Sequence, residues 1–267
     1  FKIVYHMMPN LEGSTPQRDI EMFGELFSGE DFHPDMIKMY PCMVLEGSEL
    51  YDIWKAGKFK PYTDEELMQV LAGAKKQIPK YVRIIRVIRD IPATYIQAGS
   101  KVSNLRQWLF NDMKKNNWRC KCIRCREVRG MEVRLENFPL TAKEYRTRSG
   151  REIFLSFEEA NEGKLASFLR LRLPENHGRE FAGTGLELLV DAALVRELHT
   201  YGRMAQVGEA GTQSQHLGFG KRLLLEAERI AREAGYKKLA VISGIGVREY
   251  YRKQGYQLEG TYMVKYL

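Results

Sequence analysis

Gln215-His216-Leu217-Gly218-Phe219-Gly220 runs directly into Lys221-Arg222-Leu223-Leu224-Leu225-Glu226-Ala227-Glu228-Arg229-Ile230-Ala231-Arg232-Glu233-Ala234-Gly235. Leu223, Leu224, Ala227, Ile230, Ala231 and Ala234 recur at helical spacing, and Gly235 ends the stripe as a C-terminal cap. Two glycines ahead of a helix let backbone N–H groups approach a ligand, and the helix N-terminus favours anions. A pyrophosphate is the natural guest. A plain glycine turn would read the same in isolation, so the surroundings decide. Ala193 to His199 reads as a strand, and a loop rich in Gly, Gln and Ser follows it to Ser214. Beyond the helix come a buried strand, Leu239 to Ile242, then Ser243-Gly244-Ile245-Gly246, a short helix, and Tyr250-Tyr251-Arg252-Lys253-Gln254-Gly255-Tyr256. Tyr256 to Leu267 is mostly extended.

Working toward the N-terminus, Val133 to Tyr145 and Ile153 to Phe157 read as short strands around charged turns. Leu165 to Leu173 partly alternates apolar and basic residues, which predicts an antiparallel strand with one wet face. The first hundred residues have another character. Phe1–Met8, Met36–Tyr40 and Val82–Val87 are apolar strands, separated by helices over about Pro16–Phe27 and from Thr63 onward. Thr63 and Glu66 have the spacing of a capping box, and Leu67, Val70, Leu71 and Ala74 form that helix's apolar stripe. Another helix begins at Leu105. Repeated β/α units with apolar strands predict a parallel sheet covered by helices. The domain boundary is expected between about residues 117 and 150. Because Phe1 enters a strand with no initiator Met, the first domain is expected to be cut at its N-terminal side.

The 267 residues are 44% hydrophobic and 28% charged, a balance that excludes disordered, collagen-like and disulfide-stapled mini-protein classes. No apolar run approaches the roughly 20 residues of a membrane helix. With 42 Lys+Arg against 34 Asp+Glu the net charge is +8, which favours polyanionic partners, nucleic acid first. The excess concentrates at Lys114, Lys115, Arg119, Lys121, Arg124, Arg126 and Arg129, with a second group at Lys80, Arg83, Arg86 and Arg89. Trp108 and Trp118 nearby could stack on bases, although buried packing is the more ordinary reading of either alone.

Four cysteines, three of them crowded, suggest an intracellular metal-binding chain rather than a disulfide framework. Cys120-x-Cys122-x-x-Cys125 brings three thiols within reach of one ion. Cys42 is the remaining thiol and the candidate fourth ligand of a tetrahedral zinc site, with His33 and His6 as competitors.

The order of strand, Gly-rich loop, helix, strand and late Tyr resembles the acetyl-CoA-binding core of GNAT acetyltransferases. Several motifs are more specific: Gln215–Gly220, Glu226–Arg232, Val241–Arg248 and Tyr262–Lys265, with Arg196-Glu197-Leu198-His199. His6–Leu11, Arg18–Glu21, Lys38–Pro41, Tyr51–Lys55 and Arg89–Pro92 join them. Together they resemble the family of the Elongator catalytic subunit. That resemblance implies an α/β and α+β chain: part of a radical-SAM (TIM-like) barrel over 1–116, a zinc-binding linker over 117–150, and a GNAT domain over 151–267. It implies acetyl-CoA bound along Glu197, Leu198, His199 and Thr200, with Gln215, Gly218, Phe219, Gly220, Lys221 and Arg222 at the pyrophosphate. Tyr251, four residues before Gly255, takes the place of the Tyr at the thioester end, in a catalytic role. The implied activity is modification of C5 of the tRNA wobble uridine, with S-adenosylmethionine and a four-iron–four-sulfur cluster in the complete protein. The family's N-terminal cluster motif does not occur in these residues. A cytoplasmic protein, a homodimer, and tRNA contacts through the basic linker residues are further expectations. The GNAT core alone would suit a protein lysine acetyltransferase, and a basic module that only senses acetyl-CoA is another class.

Overall fold

The computed structural model describes residues 1–89, 91–102, 104–201 and 218–267. They form two compact units, Lys2–Cys125 and Arg126–Leu267 together with Phe1. The boundary falls between Cys125 and Arg126, so the expected linker 117–150 is divided between the units. Its first nine residues, the three cysteines among them, belong with the first unit.

The first unit contains β1 (Val4–Met7), α1 (Pro16–Ser28), β2 (Met36–Met39), β3 (Val44–Leu45), α2 (Glu49–Lys55), α3 (Asp64–Gln77), β4 (Arg83–Arg86), β5 (Ile96–Ala98), α4 (Leu105–Lys115) and the start of α5 (Ile123–Arg126). β1, β2 and β4 form a parallel sheet in that order, as the apolar β/α pattern predicts. β3 and β5 make a separate antiparallel pair. Thr15 caps α1 with Pro16 in its first turn, and α3 opens on the expected box: Thr63 Oγ1 accepts from Glu66 N–H at 3.2 Å, and Glu66 Oε2 accepts from Thr63 N–H at 2.9 Å. The α3 stripe of Leu67, Val70, Leu71 and Ala74 is buried, and so is Lys75 beside it.

The second unit is built on a seven-stranded sheet. Its strands are β6 (Leu140–Thr147), β7 (Gly150–Glu158), β8 (Leu165–Pro174), β9 (Ala192–Thr200), β10 (Lys238–Ile242), β11 (Gln257–Glu259) and β12 (Tyr262–Tyr266), ordered β11-β12-β10-β9-β8-β7-β6. Neighbours are antiparallel except β9 and β10, the pair joined through α6 (Phe219–Glu233). α7 (Arg248–Arg252) follows β10. Phe219, Leu223, Leu224, Ala227 and Ala231 of α6 pack with Leu169, Leu171, Leu173, Val195 and Val241 in one core. Residues 133–139 lie outside the strands, with a 3-10 turn at Leu135–Asn137, and the hairpin begins only at Leu140.

β8 departs from expectation. It is buried along both faces, not wet on one. Leu169, Leu171 and Leu173 face the α6 core, while Arg170, 1% exposed, is accommodated by other means. Its Nε donates to Glu197 Oε2 at 3.0 Å, and its guanidinium lies 5.4 Å from the ring centroids of both Phe154 and Phe168. An ion pair and two aromatic faces replace the water that a buried charge gives up.

Candidate functional site

The strand pair around α6 is opened by a bulge. β9 and β10 pair from Ala192–Lys238 to Val195–Val241 and no further, although β10 continues to Ile242 against β12 and β9 continues to Thr200 against β8. On the β8 side, Leu171 faces Val195 while Arg170 faces Glu197, so Arg196 is an extra residue in β9. Bulges bend the strand that carries them. The bend begins where the parallel ladder stops, which leaves Glu197–Thr200 outside that ladder.

The helix start meets this opening. Gly218 is the N-cap with φ +71°, a left-handed conformation that favours glycine, and among the described residues no side chain caps the helix. The N–H groups of Phe219, Gly220 and Lys221 precede the first intrahelical bond, whereas Arg222 N–H already donates to Gly218 O at 3.0 Å. Among the described residues, three of the four amides assigned from sequence have no intrahelical acceptor and the fourth is used by the helix; the Arg222 guanidinium rests on the Phe157 ring at 4.9 Å. The first turn holds no acidic residue. A Cβ at Gly220 would lie 2.7 Å from Tyr250 Oη and 3.9 Å from Leu198 Cδ2, so bare backbone brings β9, α6 and α7 together at this point. Gln215 lies outside the described residues.

Tyr251 is in the core, 6% exposed, edge-on to Tyr250 and Tyr256, and burial pushes its phenol pKa up to about 12. The neighbouring Tyr250 is the one whose hydroxyl approaches the helix start, and sequence reading passed over it. A Tyr-Tyr pair on a short helix puts one ring inward and one toward the opening, and spacing alone does not say which. On β9, His199 is exposed, its ring tilted against Tyr201 with centroids 4.4 Å apart, while Glu197 is held by Arg170.

In the first unit the three crowded cysteines do converge: the sulfurs of Cys120, Cys122 and Cys125 lie within 4.8 Å of one another. The segment is anchored to β4 through Ile123 N–H to Val82 O at 2.9 Å and Arg124 Nη1 to Ile85 O at 3.2 Å. Hydrogen bonds from Cys120 and Cys125 hold the Cys122 thiol well below the ordinary range, while the same sharing raises Cys120. Lys75 Nζ donates to Cys125 Sγ at 3.7 Å. Burial works against its charge, but the three sulfurs outweigh it and keep the ammonium above its usual pKa. Soft, buried, thiolate-forming donors at this spacing fit a tetrahedral ion of the zinc class. Cys42 is not part of the group; it is buried, its N–H donates to Pro9 O at 2.9 Å, and burial raises its thiol pKa. His33 uses both ring nitrogens elsewhere, on Tyr81 Oη and Gly29 O, and His6 packs edge-on to Tyr40.

The basic residues divide in the same way. Lys114, Lys115, Arg119 and Lys121 are exposed. Arg126 is buried, its Nη1 2.9 Å from Glu158 Oε1 and 3.3 Å from Gly163 O, and Arg124 serves the β4 anchor. Both are structural in these positions. Trp118 donates from its indole to Asp112 at 2.7 Å beneath Lys76, whereas Trp108 is 40% exposed.

Comparison with known proteins supplies the class first. Residues 34–115 match the Radical_SAM C-terminal domain family. Over its full length the chain is 46% identical to the tRNA uridine(34) acetyltransferase of Methanocaldococcus jannaschii, of which it covers 50%. It is 44% identical to the protein of that name from Dehalococcoides mccartyi, covering 58%, and 42% identical to Elongator complex protein 3 of Homo sapiens, covering 49%. The structure of Methanocaldococcus infernus Elp3 with an N-terminal deletion superposes with a TM-score of 0.88 at 46% identity, over 100% of this chain and 63% of that one. Over its whole length the chain is homologous to these tRNA uridine(34) acetyltransferases and Elongator proteins. It spans about half the length of the curated relatives it matches. No described helix is long and apolar enough to cross a membrane.

Proposed function

We propose that this chain works within a tRNA uridine(34)-modifying enzyme, with its second unit as a GNAT-type acetyl-CoA-binding domain and its first as part of a radical-SAM barrel. The observation that carries the reading is the opening of β9 from β10 at Arg196 beside the α6 start, where Leu198 Cδ2 lies 3.9 Å from a Cβ placed at Gly220 and the amides of Phe219, Gly220 and Lys221 precede the first intrahelical bond. An extended thioester cofactor fits those two features together: backbone groups of Glu197–Thr200 along its arm, and the α6 N-terminus at its pyrophosphate. Acetyl-CoA supplies the acetyl group. Tyr250 borders the helix start, with Tyr251 behind it in the core as a protonated phenol through neutral pH.

The names of the relatives support tRNA as the substrate over an amine. Glu197 also favours it. This carboxylate on the opened part of β9 is committed to buried Arg170 rather than presented to an acceptor amine, which a lysine acetyltransferase would have to deprotonate. S-adenosylmethionine and an iron–sulfur cluster supply radical chemistry in this family, and the cluster motif is not among these residues. Cys120, Cys122 and Cys125 hold zinc as a structural ion, pinning their segment to the end of β4.

The test is product analysis on tRNA with acetyl-CoA and S-adenosylmethionine, using the full-length enzyme with its cluster reconstituted. Carboxymethylation at uridine C5 is expected, and acetylated lysine with unmodified tRNA would overturn the reading. A second result concerns RNA contacts. Replacing Lys114, Lys115 and Lys121 together with Ala should weaken tRNA binding and flatten its salt dependence by about two units of slope, since each lost phosphate contact removes about 0.7–0.9. Gel-shift titrations at several salt concentrations measure this. Arg126→Met should behave differently, lowering stability by about 3–5 kcal/mol because Glu158 is left buried without its partner. An unchanged salt slope in the triple variant would remove these lysines from the interface.

A further inference from the structure

Lys75 is 2% exposed, which is unusual for a residue in the last turn of a solvent-facing helix. Burying an ammonium costs several kcal/mol unless an opposite charge compensates. Here the neighbouring groups are sulfurs: Nζ sits 3.7 Å from Cys125 Sγ, and Cys120 and Cys122 are within 4.8 Å of that sulfur. The three thiols and the lysine come from two distant stretches of the first unit, so the contact is built by the fold and not by sequence proximity.

Charge counting then becomes informative. Three thiolates around a divalent ion leave a complex of net charge −1, and a fourth thiolate would leave −2. One buried ammonium neutralises the first and not the second. We infer that Lys75 is the built-in counter-charge of the cysteine site, and that it matches a centre of three thiolates plus a neutral fourth donor, water or imidazole. This rests on the zinc reading above. Lys75 acts through the ligand sulfurs as a positioning residue: its N–H···S bond orients Cys125 and keeps a charged complex from standing alone in the interior. Outer partners of metal ligands commonly contribute 10- to 100-fold to metal affinity. Cys42, whose thiol would add the second negative charge, has no part in the site.

The experiment is zinc content by metal analysis, followed by the rate of zinc transfer to a chromogenic chelator, for the chain and three variants. Wild type should carry one zinc. Lys75→Met, which keeps the length and apolar stem without the charge, should release zinc at least 10-fold faster. Lys75→Arg, which keeps the charge, should stay within about threefold of wild type, well inside the 10- to 100-fold range of losing an outer partner. Cys42→Ala should retain one zinc with unchanged kinetics. Zinc-free wild-type protein, purified without chelators, would remove the zinc reading itself. Zinc-loaded wild type with Lys75→Met equally retentive would overturn the Lys75 inference alone. If Lys75→Met does not fold, Lys75→Arg decides: rapid zinc loss from it shows that shape and not charge governs the site, and the inference falls. Loss of zinc from Cys42→Ala would overturn the neutral-donor assignment.

Discussion

Gly220→Asp should weaken acetyl-CoA binding by about 100-fold or more, because it acts on the anion site twice. Its Cβ would meet Tyr250 Oη at 2.7 Å, so the tyrosine must move. Its carboxylate would then stand among the amides of Phe219, Gly220 and Lys221, where the pyrophosphate is proposed to bind. Like-charge juxtaposition in an interface costs several kcal/mol, and each 1.4 kcal/mol is a factor of ten in affinity. Gly220→Ala separates the two causes. Its methyl group meets the same hydroxyl without adding charge, so a loss of only about tenfold is expected, near the cost of one displaced hydrogen-bonding group. Removing that hydroxyl as well, in Gly220→Ala/Tyr250→Phe, should relieve the clash. Calorimetric titration with acetyl-CoA measures all three, and a thermal melt checks that the sheet stays folded. Binding of Gly220→Asp within threefold of wild type would place the pyrophosphate elsewhere.

Those residues also show what a single sequence reveals. The α6 stripe, its glycine entrance and the flanking strands were legible because periodicity and turn residues are local signals. The Thr63–Glu66 box and the Cys120–Cys125 cluster were legible for the same reason, since all their partners lie within six residues. Three decisive features were not. The bulge at Arg196 is a mismatch between β8 and β9, and neither strand alone contains it. Arg170 was read as facing water because alternation marks a charged position without saying whether a carboxylate waits 27 residues away. Lys75 was overlooked for an equivalent reason: the thiol it bonds, Cys125, lies 50 residues downstream, and an isolated Lys in an amphipathic helix reads as solvent-exposed. The misplacement of Cys42 and Arg126 has the opposite origin. Both were assigned by residue type, a thiol to a metal and a cation to RNA, whereas burial and existing partners decide. Buried charges paired over long distances are invisible to local pattern, and they are concentrated around both candidate sites.

The largest effect on stability is expected from Cys122→Ser. Cys122 is fully buried, and hydrogen bonds from Cys120 and Cys125 converge on its sulfur. Serine keeps the size but offers a neutral hydroxyl in place of the thiolate that holds the ion at neutral pH, so zinc content should fall from one per chain to near zero. Two consequences follow locally. The segment that hangs from β4 through Ile123 and Arg124 loses its cross-link, and Lys75 keeps its buried charge with one sulfur fewer to offset it. Loss of a structural metal belongs among the few changes that cost more than about 4 kcal/mol. With each kcal/mol shifting the midpoint by about 4 °C in a domain of this size, the first unit should melt roughly 15 °C earlier. The second unit has its own core under α6, so two-step melting should replace a single transition, with the later step unmoved. Acetyl-CoA should protect that later step in both proteins, because its proposed site lies wholly within the second unit. The double variant Cys122→Ser/Lys75→Met should recover part of the lost stability, since removing the ammonium also removes the charge left uncompensated when the thiolates go. A Cys122→Ser protein that retains zinc, or that melts like wild type, would show that this cluster does not hold the first unit together.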